Sequence, residues 1–186
     1  SGGAFPVPIN YDGGSQTSGD DLTFTAATVT SVTHVFTNAN DGSVSVVTGG
    51  STSTINYTGL EPVFDNLNAT DRVFQFTGAD EQIMLSDDGD TGDGQSFIDS
   101  DLGESVTFNN PTGSLTIELD SNGGNGNDSV FLNGLDSAFD ADLNITGGDE
   151  GDDVRIQTGT TDVGTGSIDI DVSVVFMTTG GGLVTN

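Results

Sequence analysis

From residue 22 onward, apolar and polar residues alternate with a period of two: LTFTA at 22–26, TVTSVTHVF at 28–36, SVSVV at 43–47, STINY at 53–57 and RVFQF at 72–76. The pattern continues through QIML at 82–85, SVTF at 105–108, SLTIEL at 114–119, SVFLN at 129–133, DLNI at 142–145, VRIQ at 154–157 and SIDIDVSVVF at 167–176. Alternation puts successive side chains on opposite faces of a strand, so each strand carries one apolar face. No segment keeps apolar residues at i, i+3, i+4 and i+7 for three turns, and β-branched residues and Gly are frequent throughout. Helices are therefore not expected, and the fold class is all-β.

Two all-β architectures compete, a coiled β-solenoid and an antiparallel β-sandwich. LTIELDSNGGNGNDSVFL (115–132) and LNITGGDEGDDVRI (143–156) share one layout: an apolar strand, a Gly-Gly acidic turn, and a second strand starting near an Asp. Their Gly pairs lie 147 − 123 = 24 residues apart, as do Val130 and Val154. That interval suits one coil of three short strands at about 3.3 Å per residue plus turns. The expectation is a right-handed parallel β-helix over residues 21–186, its hand taken from the rule for parallel crossovers, with the β-sandwich as the alternative. SGGAFPVPINYDGGSQTSGD, residues 1–20, holds two of the four prolines and little periodicity, and is expected to be a flexible or extended arm or cap.

Charge narrows the functions. The chain has 186 residues, a net charge of −27, no Lys, Arg72 and Arg155 as its only Arg residues, and one His, His34. Nucleic acid is excluded as a partner because phosphate binding requires a basic patch. So much like charge favours salt screening or bound divalent cations, which points to an extracellular or cell-surface setting. With no Cys there are no disulfides or thiolate metal sites. There is no apolar run long enough for a membrane span and no basic region leading into a signal sequence. The targeting segment is expected to lie outside this sequence, as in a mature product or a piece of a larger exported protein.

ANDGSVSVVTGGSTSTINYTGLEPV (39–63), FNNPTGSLTIELDSNGGNGNDSVFLNGLDSAF and LNITGGDEGDDVRI resemble modules of very large secreted repeat proteins of planctomycetes and related marine bacteria, described as haemagglutinin-like or adhesin-like. The resemblance covers roughly residues 30–160 and rests most on INYTGLEP. It implies an extracellular β-helical surface module and supplies no catalytic residues.

GGNGNDSVF, residues 123–131, fits the calcium turn GGxGxDxUx of β-roll proteins. As a calcium loop, it would offer the carbonyls of Gly124 and Gly126 and the carboxylate of Asp128, with Asp152 or Asp153 from the following turn completing an oxygen shell. As a tight glycine turn, its Asp would cap a strand. SDDGDTGDGQS, residues 86–96, gathers Asp87, Asp88, Asp90 and Asp93, a second oxygen-only candidate for calcium or a solvated acidic loop. His34 is expected on a strand surface, and both Arg residues in ion-pair networks.

No catalytic residues are assigned. The first functional expectation is a structural or adhesive extracellular module, stabilised by calcium and self-associating head to tail or by strand addition into a filament or surface layer. The alternatives are a carbohydrate-binding module with a surface glycan as partner, or a polysaccharide-active β-helix enzyme. The enzyme is disfavoured by the scarcity of basic residues. The binding module is weakened by the absence of Trp.

Overall fold

A computed structural model describes residues 7–14, 19–60, 62–77, 79–121, 126–148 and 151–185, none of them helical. The short strands β1 (Ile9–Asp12) and β2 (Leu22–Phe24) precede three longer ones, β3 (Thr28–Asn38), β4 (Asp41–Thr48) and β5 (Ser51–Thr58). Next come β6 (Val63–Asp65), β7 (Asn68–Gln75), β8 (Gln82–Asp87), β9 (Gln95–Ser100) and β10 (Val106–Asn109). The remainder holds β11 (Ser114–Glu118), β12 (Ser129–Leu132), β13 (Asp142–Thr146), β14 (Asp153–Ile156), β15 (Gly159–Asp162), β16 (Ile168–Asp171), β17 (Val174–Met177) and β18 (Gly181–Val184).

These strands form two eight-stranded sheets, ordered β1-β5-β4-β3-β7-β11-β13-β16 and β17-β14-β12-β8-β9-β10-β6-β2, with β15 and β18 paired separately. Both large sheets are mixed: β3, β4 and β5 pair antiparallel, as do β8, β9 and β10, while the other pairings are parallel. The expected parallel β-helix is thereby overturned, and the mixed sheets point to the sandwich, while the all-β class stands.

The physical cause of the reversals is local. Between Thr48 and Ser51, which pair, Gly49 and Gly50 hold φ of 59° and 79°. Positive φ at both central residues is the two-residue turn whose twist matches a hairpin, and Gly adopts it without a Cβ clash. The repeat detected in the second half is real as pairing register: Val130 lies opposite Val154 in the parallel pair β12–β14. It does not extend to the first half, where hairpins turn the chain back.

The inner faces close one core. Val32 and Phe36 of β3, Phe74 of β7 and Leu115 and Ile117 of β11 meet Val63, Ile83, Leu85, Ile98 and Phe108 of the second sheet, all essentially solvent-free. The Phe74 and Phe108 rings are 5.1 Å apart across the sheets. Within the segment expected to be an arm, β1 pairs in parallel with β5, Ile9 opposite Ile55.

Candidate functional site

Three groups of polar residues stand out: the acidic turns, a charged cluster inside the core, and the outer face of the second sheet.

Asp128 and Asp152 precede β12 and β14 and are brought together at the start of that sheet. Asp128 Oδ1 accepts from the Glu81 N–H at 2.8 Å, and Asp152 Oδ1 accepts from the Asp128 N–H at 2.8 Å. The result is a ladder in which each carboxylate caps the neighbouring strand start. Both residues are fully buried, and Asp128 Oδ2 has no hydrogen-bond partner among the described residues. Burial drives the Asp128 carboxyl up, and the charges of Asp152, Glu81 and Asp120 add to this against the opposing Glu81 N–H, leaving it at about 7. Gly126 is fixed by space: a Cβ there would stand 2.3 Å from the Ala79 carbonyl oxygen. Gly124 lies outside the described residues.

Asp153 faces the other way, as strand alternation requires, and pairs with Arg155 through contacts of 2.6 and 3.0 Å. In the second acidic loop, Asp87 accepts from Gly89 N and Thr91 Oγ1, Asp88 from Asp90 N, and Asp93 from Gln95 N. Buried Asp136 also receives the Gly92 N–H, so the loop is pinned by hydrogen bonds. Among the described residues, no three acidic or histidine side chains are placed to hold a metal ion.

Arg72 is ion-paired as expected, but inside the core rather than on the surface. His34 is not on a strand surface. It is fully buried, as are Asp65 and Arg72. His34 Nε2 lies 2.9 Å from Asp65 Oδ2, which the Arg72 guanidinium also reaches. Arg72 donates further to the carbonyls of Leu67 at 2.6 Å and Asn109 at 3.2 Å, and lies 5.4 Å from the Phe108 ring centre. Burial alone would raise Asp65, but the His34 hydrogen bond and the Arg72 charge outweigh it and hold the carboxyl below its ordinary value. Burial lowers His34 and outweighs the pull of Asp65, favouring the neutral ring.

On the outer face of the second sheet, Asp99, Met84, Phe131, Arg155 and Phe176 stand opposite one another in register across β9, β8, β12, β14 and β17. Arg155 lies between the two rings, 5.6 Å from Phe131 and 5.4 Å from Phe176. Beside Phe131 opens a hollow of about 340 Å³ bordered by Gln82, Asn133, Gln157, Asp99 and Asp101. A second hollow, of about 520 Å³, is bordered by Phe97, Pro62 and Glu104 and shares Asp99, Ser100 and Asp101 with the first. The two hollows adjoin at these shared residues, and a third hollow, bordered by Arg155 and Asn127, adjoins the first at Gln82 and Phe131. The side-chain amides of Gln82, Asn133 and Gln157 make no hydrogen bonds to other described residues. Partly exposed rings beside these amides, with carboxylates nearby, can take a ligand that presents both C–H surface and hydroxyl groups.

No protein-family model, curated protein or solved structure matches the chain.

Proposed function

We propose that the chain is an extracellular carbohydrate-binding β-sandwich module that uses the outer face of its second sheet. The observation that carries this is the groove between Phe131 and Phe97. A pyranose C–H face stacks on the rings, and its hydroxyls bond to the side-chain amides of Gln82, Asn133 and Gln157, which make no hydrogen bond to another described residue. Phenylalanines supply the platform in a chain without Trp. The role is binding rather than catalysis: His34 and Arg72, the residues best suited to acid–base or anion chemistry, are sealed in the core. Titration against a panel of neutral and charged oligosaccharides tests the proposal. At least one should bind, and Phe131→Ala should weaken it by about tenfold, the order expected for losing one stacked ring. A panel with no binder overturns it.

A second role, end-to-end association, has its own support. Of the exposed large apolar side chains among the described residues, Val7, Ile9 and Tyr11 lie in or beside β1, and Val174, Val175, Phe176 and Met177 make up β17; only Phe64 and Leu102 lie elsewhere. β1 and β17 are edge strands at opposite ends of the sandwich, and open apolar edges invite pairing with another chain. Sedimentation of the purified chain over a range of concentrations tests this: growth that Val175→Lys abolishes supports it, and a constant monomer refutes it.

A further inference from the structure

We propose that the groove selects a glycan bearing free amino groups, an oligomer of 2-amino-2-deoxy sugars, over neutral or acidic ones. The proposal rests on the carbohydrate-binding role and specifies its ligand class. The shared middle of the groove is lined by Asp99 and Asp101 with Glu104 beyond; among the described residues neither hollow is lined by an Arg, Lys or His, and the one cation that borders the adjoining hollow at Gln82 and Phe131 is Arg155. Asp101 uses Oδ1 to accept the Gln82 N–H at 2.9 Å, and its Oδ2 makes no hydrogen bond to another described residue. A sugar ammonium there gains a charge-assisted hydrogen bond, stronger than one to a hydroxyl. Phe97 adds a ring face that attracts cations, and Phe131, whose ring already meets the Arg155 guanidinium, packs against the C–H surface of the same sugar.

The surroundings exclude the opposite charge. Arg155 is the chain's only Arg or Lys outside the core, and the Asp153 carboxylate already holds it. A uronate or sulfated glycan would therefore meet a protein of net charge −27 with no uncommitted cation at the groove. A neutral glycan can use the amides and rings and gains nothing from the carboxylates that an ordinary hydroxyl-binding site would not provide.

The test is calorimetric titration with fully deacetylated and fully acetylated chito-oligosaccharides of equal length. The deacetylated oligomer should bind about tenfold more tightly, as one added charge-assisted hydrogen bond implies. The Asp99→Asn/Asp101→Asn variant should shrink that ratio to about threefold or less, since Asn keeps the backbone-capping oxygen and removes the charge. Phe131→Ala should weaken both oligomers. Equal affinities, or tighter binding of the acetylated form, overturn the amino preference while leaving carbohydrate binding in place. Deacetylated binding that survives both variants overturns the groove as its site, because a polycation would then be adhering to the acidic surface at large. If no oligosaccharide binds, the carbohydrate-binding role fails and the amino preference with it.

Discussion

Asp65 and Asp128 are both without solvent-accessible surface, each accepts a backbone N–H, and yet their carboxyls move in opposite directions. Asp65 is held below its ordinary value of 3.8, whereas Asp128 is raised to about 7. Burial pushes both upward. The difference lies in the neighbours: Arg72 and His34 for Asp65, but Asp152, Glu81 and Asp120 for Asp128. A low-dielectric core magnifies whichever charge is near, so the sign of the neighbour decides whether a buried carboxyl stays charged. In a chain with only two Arg residues, one guanidinium was committed to the core and the other to Asp153, and Asp128 ahead of β12 was left beside carboxylates alone.

The largest break in this comparison comes from removing the Asp65 counter-charge. Arg72→Met should destabilise the fold by about 3–5 kcal/mol near neutral pH, because it leaves an uncompensated charge in the core and frees the carbonyls of Leu67 and Asn109. Denaturant unfolding measures this. Adding Asp65→Asn to Arg72→Met should recover a substantial part of the loss, since the orphaned charge goes with it. If the double variant is no more stable than Arg72→Met, the guanidinium acts through packing on Phe108 and not through charge.

That cluster could have been read from strand parity. In TVTSVTHVF, His34 shares parity with Val32 and Phe36, and in RVFQF, Arg72 shares it with Phe74 and Phe76. Asp65 likewise shares parity with Val63. The alternation that identified β3 and β7 therefore placed His34 and Arg72 inward, and the habit of putting charges outside concealed it, whereas the three-residue β6 that carries Asp65 is too short to stand out as an alternating run. The hairpin at Thr48-Gly49-Gly50-Ser51 carried an equally local signal, Gly-Gly between two alternating runs. What no string could show is which strands become neighbours. The 24-residue interval fixed Val130 opposite Val154, but the same sheet also pairs β8 with β9 antiparallel, a choice made by loop length and core packing. The groove was hidden for the same reason, since Phe97 and Phe131 come from strands that only tertiary pairing places near each other.

Asp128→Asn probes the other side of the comparison, with a smaller effect of the opposite sign. A carboxyl whose folded pKa is raised from 3.8 to about 7 contributes stability that is complete below about pH 4 and lost as pH rises through about 7. The variant should therefore be more stable than the wild type by about 1–3 kcal/mol at about pH 8, and about equal to it near pH 4. His34 acts in reverse: its pKa is lowered from 6.5, so its contribution is present above that value and lost as pH falls. Repeating the comparison with millimolar calcium sharpens it. If calcium stabilises the wild type at about pH 8 but not Asp128→Asn, the counter-ion at this strand start is a metal, as the GGNGND turn suggests. If calcium changes neither, the proton is the only counter-ion there. A variant no more stable than the wild type at any pH would show that Asp128 is wet enough to carry its charge.

The smallest effect belongs to Asp153, one residue from buried Asp152 but on the opposite face of β14. It has what Asp128 lacks, a guanidinium in bidentate contact, and its carboxyl lies below the ordinary value chiefly through that Arg155 hydrogen bond. The Arg155 side chain is 42% exposed, so water screens the pair. Asp153→Asn should cost under about 1 kcal/mol, and the loss should fade as salt is added. A loss as large as that of Arg72→Met, or one insensitive to salt, would mean that Arg155 depends on Asp153 to stay seated between Phe131 and Phe176, and that the aromatic row on this face is held in place by charge.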